Sequence, residues 1–211
     1  MKIEIWSDFA CPYCYIGKKR LEKALEEFKG KEEINITFKT FQLNPSEERK
    51  EISDYSEHLS KKYNIPYAQA KVQVDGMINS AAELGLNLRY DILIRNKTTF
   101  AHEIAKYAKT VGKEIEIVNC FFKGYFEKGA DLGDVDTLFN MCKKVGLDIE
   151  KLKKVIEEES YLPEILKDRK EASSIGITGV PFFIINDKIT ISGAQSIEYF
   201  KMALKQAEIT K

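Results

Sequence analysis

Strand-like alternation is confined to the two ends of this chain, and most of what lies between reads as helix. Ile3-Glu4-Ile5-Trp6 predicts a strand over residues 2–7, and Ile34-Asn35-Ile36-Thr37-Phe38-Lys39 alternates with the period of two that marks a second. Between them, residues 12–28 carry Cys14, Leu21, Leu25 and Phe28 at helical spacing. Strand, helix and strand this close together form a right-handed βαβ unit with a parallel pair. Asn44-Pro45 closes that unit, and helical spacing then fills 54–63, 67–84, 99–111, 114–127, 135–145, 149–159 and 163–174. Thr98, Asp134 and Asp148 stand at N-cap positions, and Gly85, Gly112 and Gly146 stand just past helix ends. Leu86–Lys97 is the least helical stretch and reads as a loop. Strand pattern returns at Pro181–Asn186 and Lys188–Ser192, with Asn186-Asp187 as the turn of a hairpin, and Ser196 caps a last helix over 197–207.

Cys11-Pro12-Tyr13-Cys14 follows the first strand and opens the first helix. That position suits reversible disulfide chemistry. The spacing brings two sulfurs within bonding reach, and the first faces the unpaired N–H groups and positive dipole end of the helix, which favour a thiolate. Pro12 belongs in the first helical turn, where its missing N–H costs nothing. A Cys-x-x-Cys beside a βαβ unit resembles a thioredoxin-like redox centre. The element order resembles an α/β thioredoxin fold, βαβ…ββα, interrupted by a large all-helical insertion domain. The expected boundaries are 1–44 and 175–211 for the thioredoxin-like domain and 45–174 for the insertion.

The remaining composition narrows the partners. Lys and Arg total 33 and Asp and Glu total 33, so the chain has neither the basic field that nucleic acid requires nor an acidic tail. No apolar run approaches a membrane span. Met1-Lys2 leads straight into a strand without a signal-peptide core, which makes the cytoplasm the expected location. Cys120 and Cys142 lie in apolar helical surroundings and read as core thiols. With only His58 and His102 besides, no close-spaced second pair of ligands is present, and no metal site is expected.

Two further segments make the resemblance specific. Trp6-Ser-Asp-Phe-Ala-Cys-Pro-Tyr-Cys-Tyr-Ile-Gly17 and Gly176-Ile-Thr-Gly-Val-Pro-Phe-Phe183, with the weaker Thr99-Phe-Ala-His-Glu and Gly193-Ala-Gln, resemble the DsbA family of thiol-disulfide oxidoreductases and within it the FrnE-like branch. Some FrnE-like proteins carry an additional C-terminal cysteine pair, whereas this chain has no cysteine after Cys142. The resemblance implies a cis bond at Val180-Pro181 beside the cysteines, leaving the Val180 backbone to pair with a substrate. It further implies Cys11 as nucleophile, Cys14 as resolving thiol, and Pro12 and Tyr13 as residues that tune Cys11. Glu4 matches a buried acid of such folds with one extra residue before the cysteine, and is expected to relay a proton to or from Cys14. His102 is a candidate cleft residue that stabilises the Cys11 thiolate, with Asn96 and Thr98 weaker ones.

The implied activity is a cytosolic thiol-disulfide exchange on protein or small-thiol substrates. It uses no tightly bound cofactor beyond the Cys11–Cys14 disulfide, with glutathione as a candidate reductant and a homo-oligomer allowed. Two alternatives stay open. Glutathione-dependent kappa-class transferases and chromene-carboxylate isomerases share the inserted architecture, but place a serine where this chain has Cys11. A chaperone-like polypeptide binder would use the same cleft without the chemistry.

Overall fold

The computed structural model describes residues 1–30 and 33–209, so the expected domain ranges extend at 31–32 and 210–211 beyond the described residues. The chain divides into two compact units, one built from Met1–Leu43 and Pro163–Lys211 and the other from Asn44–Leu162.

The first unit is a four-stranded sheet with helices on both faces. Its strands are β1 (Lys2–Ser7), β2 (Asn35–Thr40), β5 (Phe182–Ile185) and β6 (Ile189–Ser192), in the order β2-β1-β5-β6. β1 runs parallel to β2 and antiparallel to β5, and β5 pairs antiparallel with β6. Pairing between β1 and β2 runs unbroken from Lys2 opposite Asn35 to Ser7 opposite Thr40, so side chains alternate strictly along the central strand. Ile3 and Ile5 point to the face shared with their cross-strand partners Ile185 and Phe183, where Phe183 packs edge-on against Phe200. Helices α1 (Pro12–Glu26) and α9 (Ile197–Ile209) pack against each other, and α9 supplies Phe200 to this face. Trp6 points to the opposite face, where it is buried with Ala172 and Ile177 and packs against Phe41, Val180, Phe182 and Ile184.

Ala172 belongs to α8 (Leu162–Ser174), which lies in this unit from Pro163 onward, and not in the insertion as the expected boundary at 174 has it. Hydrogen bonding explains the assignment. The Thr40 amide donates to Asp168 Oδ2 at 2.9 Å, the Trp6 indole N–H to the Asp168 carbonyl at 3.3 Å, and Lys39 Nζ to Glu171 at 2.9 Å. At the far end of the sheet, Asn186 and Asp187 take left-handed φ values of 50° and 57°, the geometry of a two-residue hairpin turn.

The second unit holds α2 (Tyr55–Tyr63), α3 (Tyr67–Ala82), α4 (Thr99–Thr110), α5 (Glu114–Lys128), α6 (Val135–Val145) and α7 (Ile149–Glu157). Phe121, Phe122, Tyr125 and Phe126 of α5 are fully buried at its centre. Asp54, Asp134 and Asp148 each cap a helix by accepting a backbone N–H three residues on, while Thr98 stands at the N-cap of α4 without a side-chain cap bond. The insertion is not wholly helical. β3 (Lys50–Ile52) pairs antiparallel with β4 (Leu93–Arg95), and the expected loop at 86–97 contains β4 and a 3-10 turn at Tyr90–Ile92. Among the described residues no helix is long and apolar enough to cross a membrane.

Candidate active site

The sequence Ser7-Asp8-Phe9-Ala10 turns the chain from the end of β1 into α1, and Asp8 holds that turn. Its buried carboxylate accepts the Ala10 amide at 3.3 Å and the Leu43 amide at 2.7 Å, and its carbonyl accepts the Cys11 amide at 3.1 Å. The turn is thereby tied both to the start of the helix and to the chain leaving β2.

Cys11 is the N-cap of α1, with extended backbone and no side-chain cap bond, and Pro12 occupies the first helical position. The Cys11 carbonyl accepts the amides of Cys14 and Tyr15, which closes the first turn and brings the second thiol under the first. Both cysteines are free thiols in this structure. Cys14 is 2% exposed, and burial pushes its thiol well above the ordinary range, with the neighbouring Cys11 thiol adding to the effect. The Ser7 side chain and the Asp8 backbone oppose it by hydrogen bonding to the sulfur. Tyr13, by contrast, is 47% exposed.

The second half of the site comes from the other end of the chain. The Val180–Pro181 bond is cis, and the Cys11 thiol lies 3.5 Å from the Val180 carbonyl oxygen, to which it donates. This loop is tied to the segment at 193–194, which is itself tied to α1. The Gly193 amide donates to the Pro181 carbonyl at 2.8 Å, and Arg20 Nη1 donates to the Ala194 carbonyl at 2.5 Å. Gly17, two turns into α1, lies so close to the loop that a Cβ there would stand 3.0 Å from Pro181 Cγ. Glycine is favoured here by space, not by backbone angle.

The structure therefore brings together Cys11, Pro12, Tyr13, Cys14, Val180 and Pro181, and does not bring Glu4 with them. Ile3, Ile5 and Ser7 share the face of β1 that Cys14 meets, whereas Lys2, Glu4 and Trp6 share the opposite face. The extra residue between Glu4 and the cysteine is the physical reason, because one residue of slip moves a strand side chain to the other face. Glu4 ends instead in an ionic cluster, 3.0 Å from Lys2 Nζ and 3.4 Å from Lys39 Nζ. Ser7 holds the polar position beside Cys14. Its place two residues before a turn-forming Phe-Ala pair gave no hint of this; only the strand phase, counted back from the cysteine, would have.

His102 is buried on α4 in the helical unit. Asn96 is engaged there too, donating to Asp131 Oδ1 at 2.9 Å. Among the described residues no group of three or more His, Cys, Asp or Glu side chains is arranged to hold a metal ion.

The chain is similar to several known proteins over its full length. The solved structure of a probable DsbA oxidoreductase from Streptomyces coelicolor superimposes with a TM-score of 0.92 at 32% identity, covering 100% of this chain and 91% of that one. YwbO of Bacillus subtilis, an uncharacterized protein, is 29% identical over 211 residues, which is 99% of this chain and 98% of YwbO. The cytosolic disulfide reductase DsbM from Pseudomonas aeruginosa, solved with GSH, shares the fold at a TM-score of 0.66 and 10% identity, over 100% of this chain and 97% of DsbM. The DSBA-like thioredoxin domain matches residues 2–205, and the chain belongs to that family.

Proposed function

We propose that this protein is a thiol-disulfide oxidoreductase that works through Cys11 and Cys14 on protein or small-thiol disulfides. One observation carries the reading: Cys11 stands at the N-cap position of a helix with its thiol 3.5 Å from the Val180 carbonyl, and a second thiol, Cys14, is buried one turn further along that helix. A substrate lying along the Val180 segment presents its sulfur to Cys11.

In the reductive direction, the Cys11 thiolate attacks one substrate sulfur, the substrate S–S bond breaks, and the first substrate thiolate leaves. Cys14 then loses its proton and attacks the Cys11 sulfur of the mixed disulfide. That releases the second substrate thiolate and leaves a Cys11–Cys14 disulfide, two electrons having passed to the substrate. The oxidative direction is the same sequence reversed. Burial, with the Cys11 thiol beside it, disfavours the Cys14 thiolate, which leaves the first attack to Cys11. Pro12 and Tyr13 set the local environment of the Cys11 sulfur. A low-molecular-weight thiol resets the pair, two thiols per disulfide, and the GSH-bound state of the fold neighbour DsbM makes glutathione the first to try. The cytosolic assignment of that neighbour agrees with the compartment expected from the sequence.

Two variants test the reading. Cys14→Ser should accumulate a mixed disulfide with a model substrate, visible by mass spectrometry and released by dithiothreitol. Cys11→Ser should form none and lose turnover. Trapping on Cys14 or on neither cysteine would overturn the assignment. Equilibration of the wild-type pair with glutathione buffers then gives its potential, and with it the direction of electron flow.

A further inference from the structure

The face of the sheet that carries Trp6 opens, near the Val180 loop, into a groove of about 430 Å³. Its apolar floor is Phe41 and Ile177, and these pack on the same buried cluster as Val180. Floor and Val180 loop thus rest on one buried cluster. Along one wall α8 presents Arg169 and Lys170, and Thr178 stands on the segment leading to Val180.

The two cations are unlike their neighbours. Lys39 spends its charge on Glu171, Glu4 and Asp168, and Lys2 on Glu4 and Asp187. Among the described residues, Arg169 and Lys170 make no ion pair or side-chain hydrogen bond, although Arg169 is half-buried. The adjacent acids, Asp168 and Glu171, are turned toward Thr40 and Lys39. A half-buried guanidinium with five donors and no acceptor is poised for a carboxylate.

Extended chain fixes where that carboxylate must come from. In a strand, side chains two residues apart lie on one face, roughly 7 Å apart. Thr178 stands two residues before Val180, so a substrate strand that has its cysteine over Cys11 and continues along this segment places a residue about two positions away beside Thr178 and the groove that Thr178 shares with Arg169. We infer that this groove selects disulfide substrates of acidic sequence, Arg169 and Lys170 binding an Asp or Glu side chain close to the substrate cysteine while Phe41 and Ile177 support its backbone. The inference rests on the proposed exchange chemistry and names the substrate class for it.

Matched mixed-disulfide peptides with Glu, Gln or Lys two residues to either side of the cysteine test the groove, with kcat/KM as the readout. Wild-type protein should favour the Glu peptide over the Gln peptide by roughly three- to tenfold in one of the two placements, with the preference shrinking as salt is raised. An Arg169→Glu, Lys170→Glu double variant should reverse the order and favour the Lys peptide, a gain that misfolding cannot produce. Equal rates for the three wild-type peptides, or an unchanged order in the double variant, would overturn the inference. So would a change confined to oxidised glutathione with the peptides unaffected, which would give the groove to a small thiol's carboxylate. If the wild-type protein turns over no disulfide at all, the exchange reading itself fails, and that outcome is distinct from equal turnover.

Discussion

Replacing Gly17 by alanine tests whether the Pro181 loop is wedged against α1 or merely near it. An alanine Cβ would lie 3.0 Å from Pro181 Cγ, 3.3 Å from Ala194 Cβ and 3.3 Å from Phe183 Cζ. Carbon atoms in good contact sit about 3.5–4.0 Å apart, so the neighbours have to give by a few tenths of an ångström. Two effects then compete. Removing a glycine from a helix interior stabilises by about 1 kcal/mol, while overpacking a tight contact costs about 1–3 kcal/mol. Retreat is not free here, because Gly193 holds the Pro181 carbonyl at 2.8 Å and Arg20 holds the adjoining Ala194 carbonyl at 2.5 Å. Overpacking should win, with a net loss of about 1 kcal/mol in urea unfolding. The larger effect should fall on exchange. Displacement of the loop lengthens the 3.5 Å contact between Cys11 and the Val180 carbonyl, and kcat/KM on a model disulfide should drop about tenfold, a loss of about 1.4 kcal/mol in transition-state binding. Ala194→Gly in the Gly17→Ala background removes one of the clashing atoms and should restore part of both losses. If Gly17→Ala instead gains about 1 kcal/mol of stability with unchanged kinetics, the loop has slack and the wedge argument is refuted.

Three other expectations follow from the same geometry. Ser7→Ala removes a hydrogen bond that lowers the Cys14 pKa, so the pH at which the resolving step reaches half its maximum should move upward. Glu4→Gln, on the opposite face, should leave that pH profile unchanged and cost only stability; a shifted profile in Glu4→Gln would restore the relay. Burial raises the thiol of Cys142 to about 12, and Cys14 is raised as well, so each stabilises the reduced protein fully below the ordinary thiol value of 9 and loses that contribution as pH rises through its folded value. Urea midpoints should therefore fall from pH 9 upward, and fall less steeply in Cys142→Ala; parallel slopes would contradict this. On the acid side, burial, Arg95 and Lys62 depress His58 to about 4, so its contribution is present above pH 6.5 and lost between 6.5 and 4. NMR titration of the His58 ring should give a midpoint near 4, and a midpoint near 6.5 would show that Arg95 does not face it.

The fold was legible where the chain obeys a local period. The Cys11–Cys14 spacing, the Asn186-Asp187 turn and the aspartate caps each rest on a few adjacent residues, and each element they mark is present. Features set by tertiary contact were not legible. Lys50-Glu51-Ile52 is too short and too polar to announce itself as a strand, and exists because Leu93–Arg95 pairs with it. The membership of α8 in the sheet unit depends on where Asp168 finds the Thr40 amide, a bond across 128 positions. Glu4 shows the sharpest limit. Its residue type and strand were right for a buried acid, but its phase relative to the cysteine put the carboxylate on the wrong side of the sheet.

The central strand β1 also sets an order of events during synthesis. Its parallel partner β2 follows within the first forty residues, but its antiparallel partner β5 is Phe182–Ile185, after the whole helical unit has been made. The helical unit is one continuous run of chain, Asn44–Leu162, and has all its residues while the sheet unit still lacks half of its own. Cys11 therefore leaves the ribosome 169 positions ahead of the carbonyl that it faces in the finished protein. Through most of translation Cys11 exists without the loop whose carbonyl it faces, so the site is complete only after Val180 has been made and β5 has paired with β1.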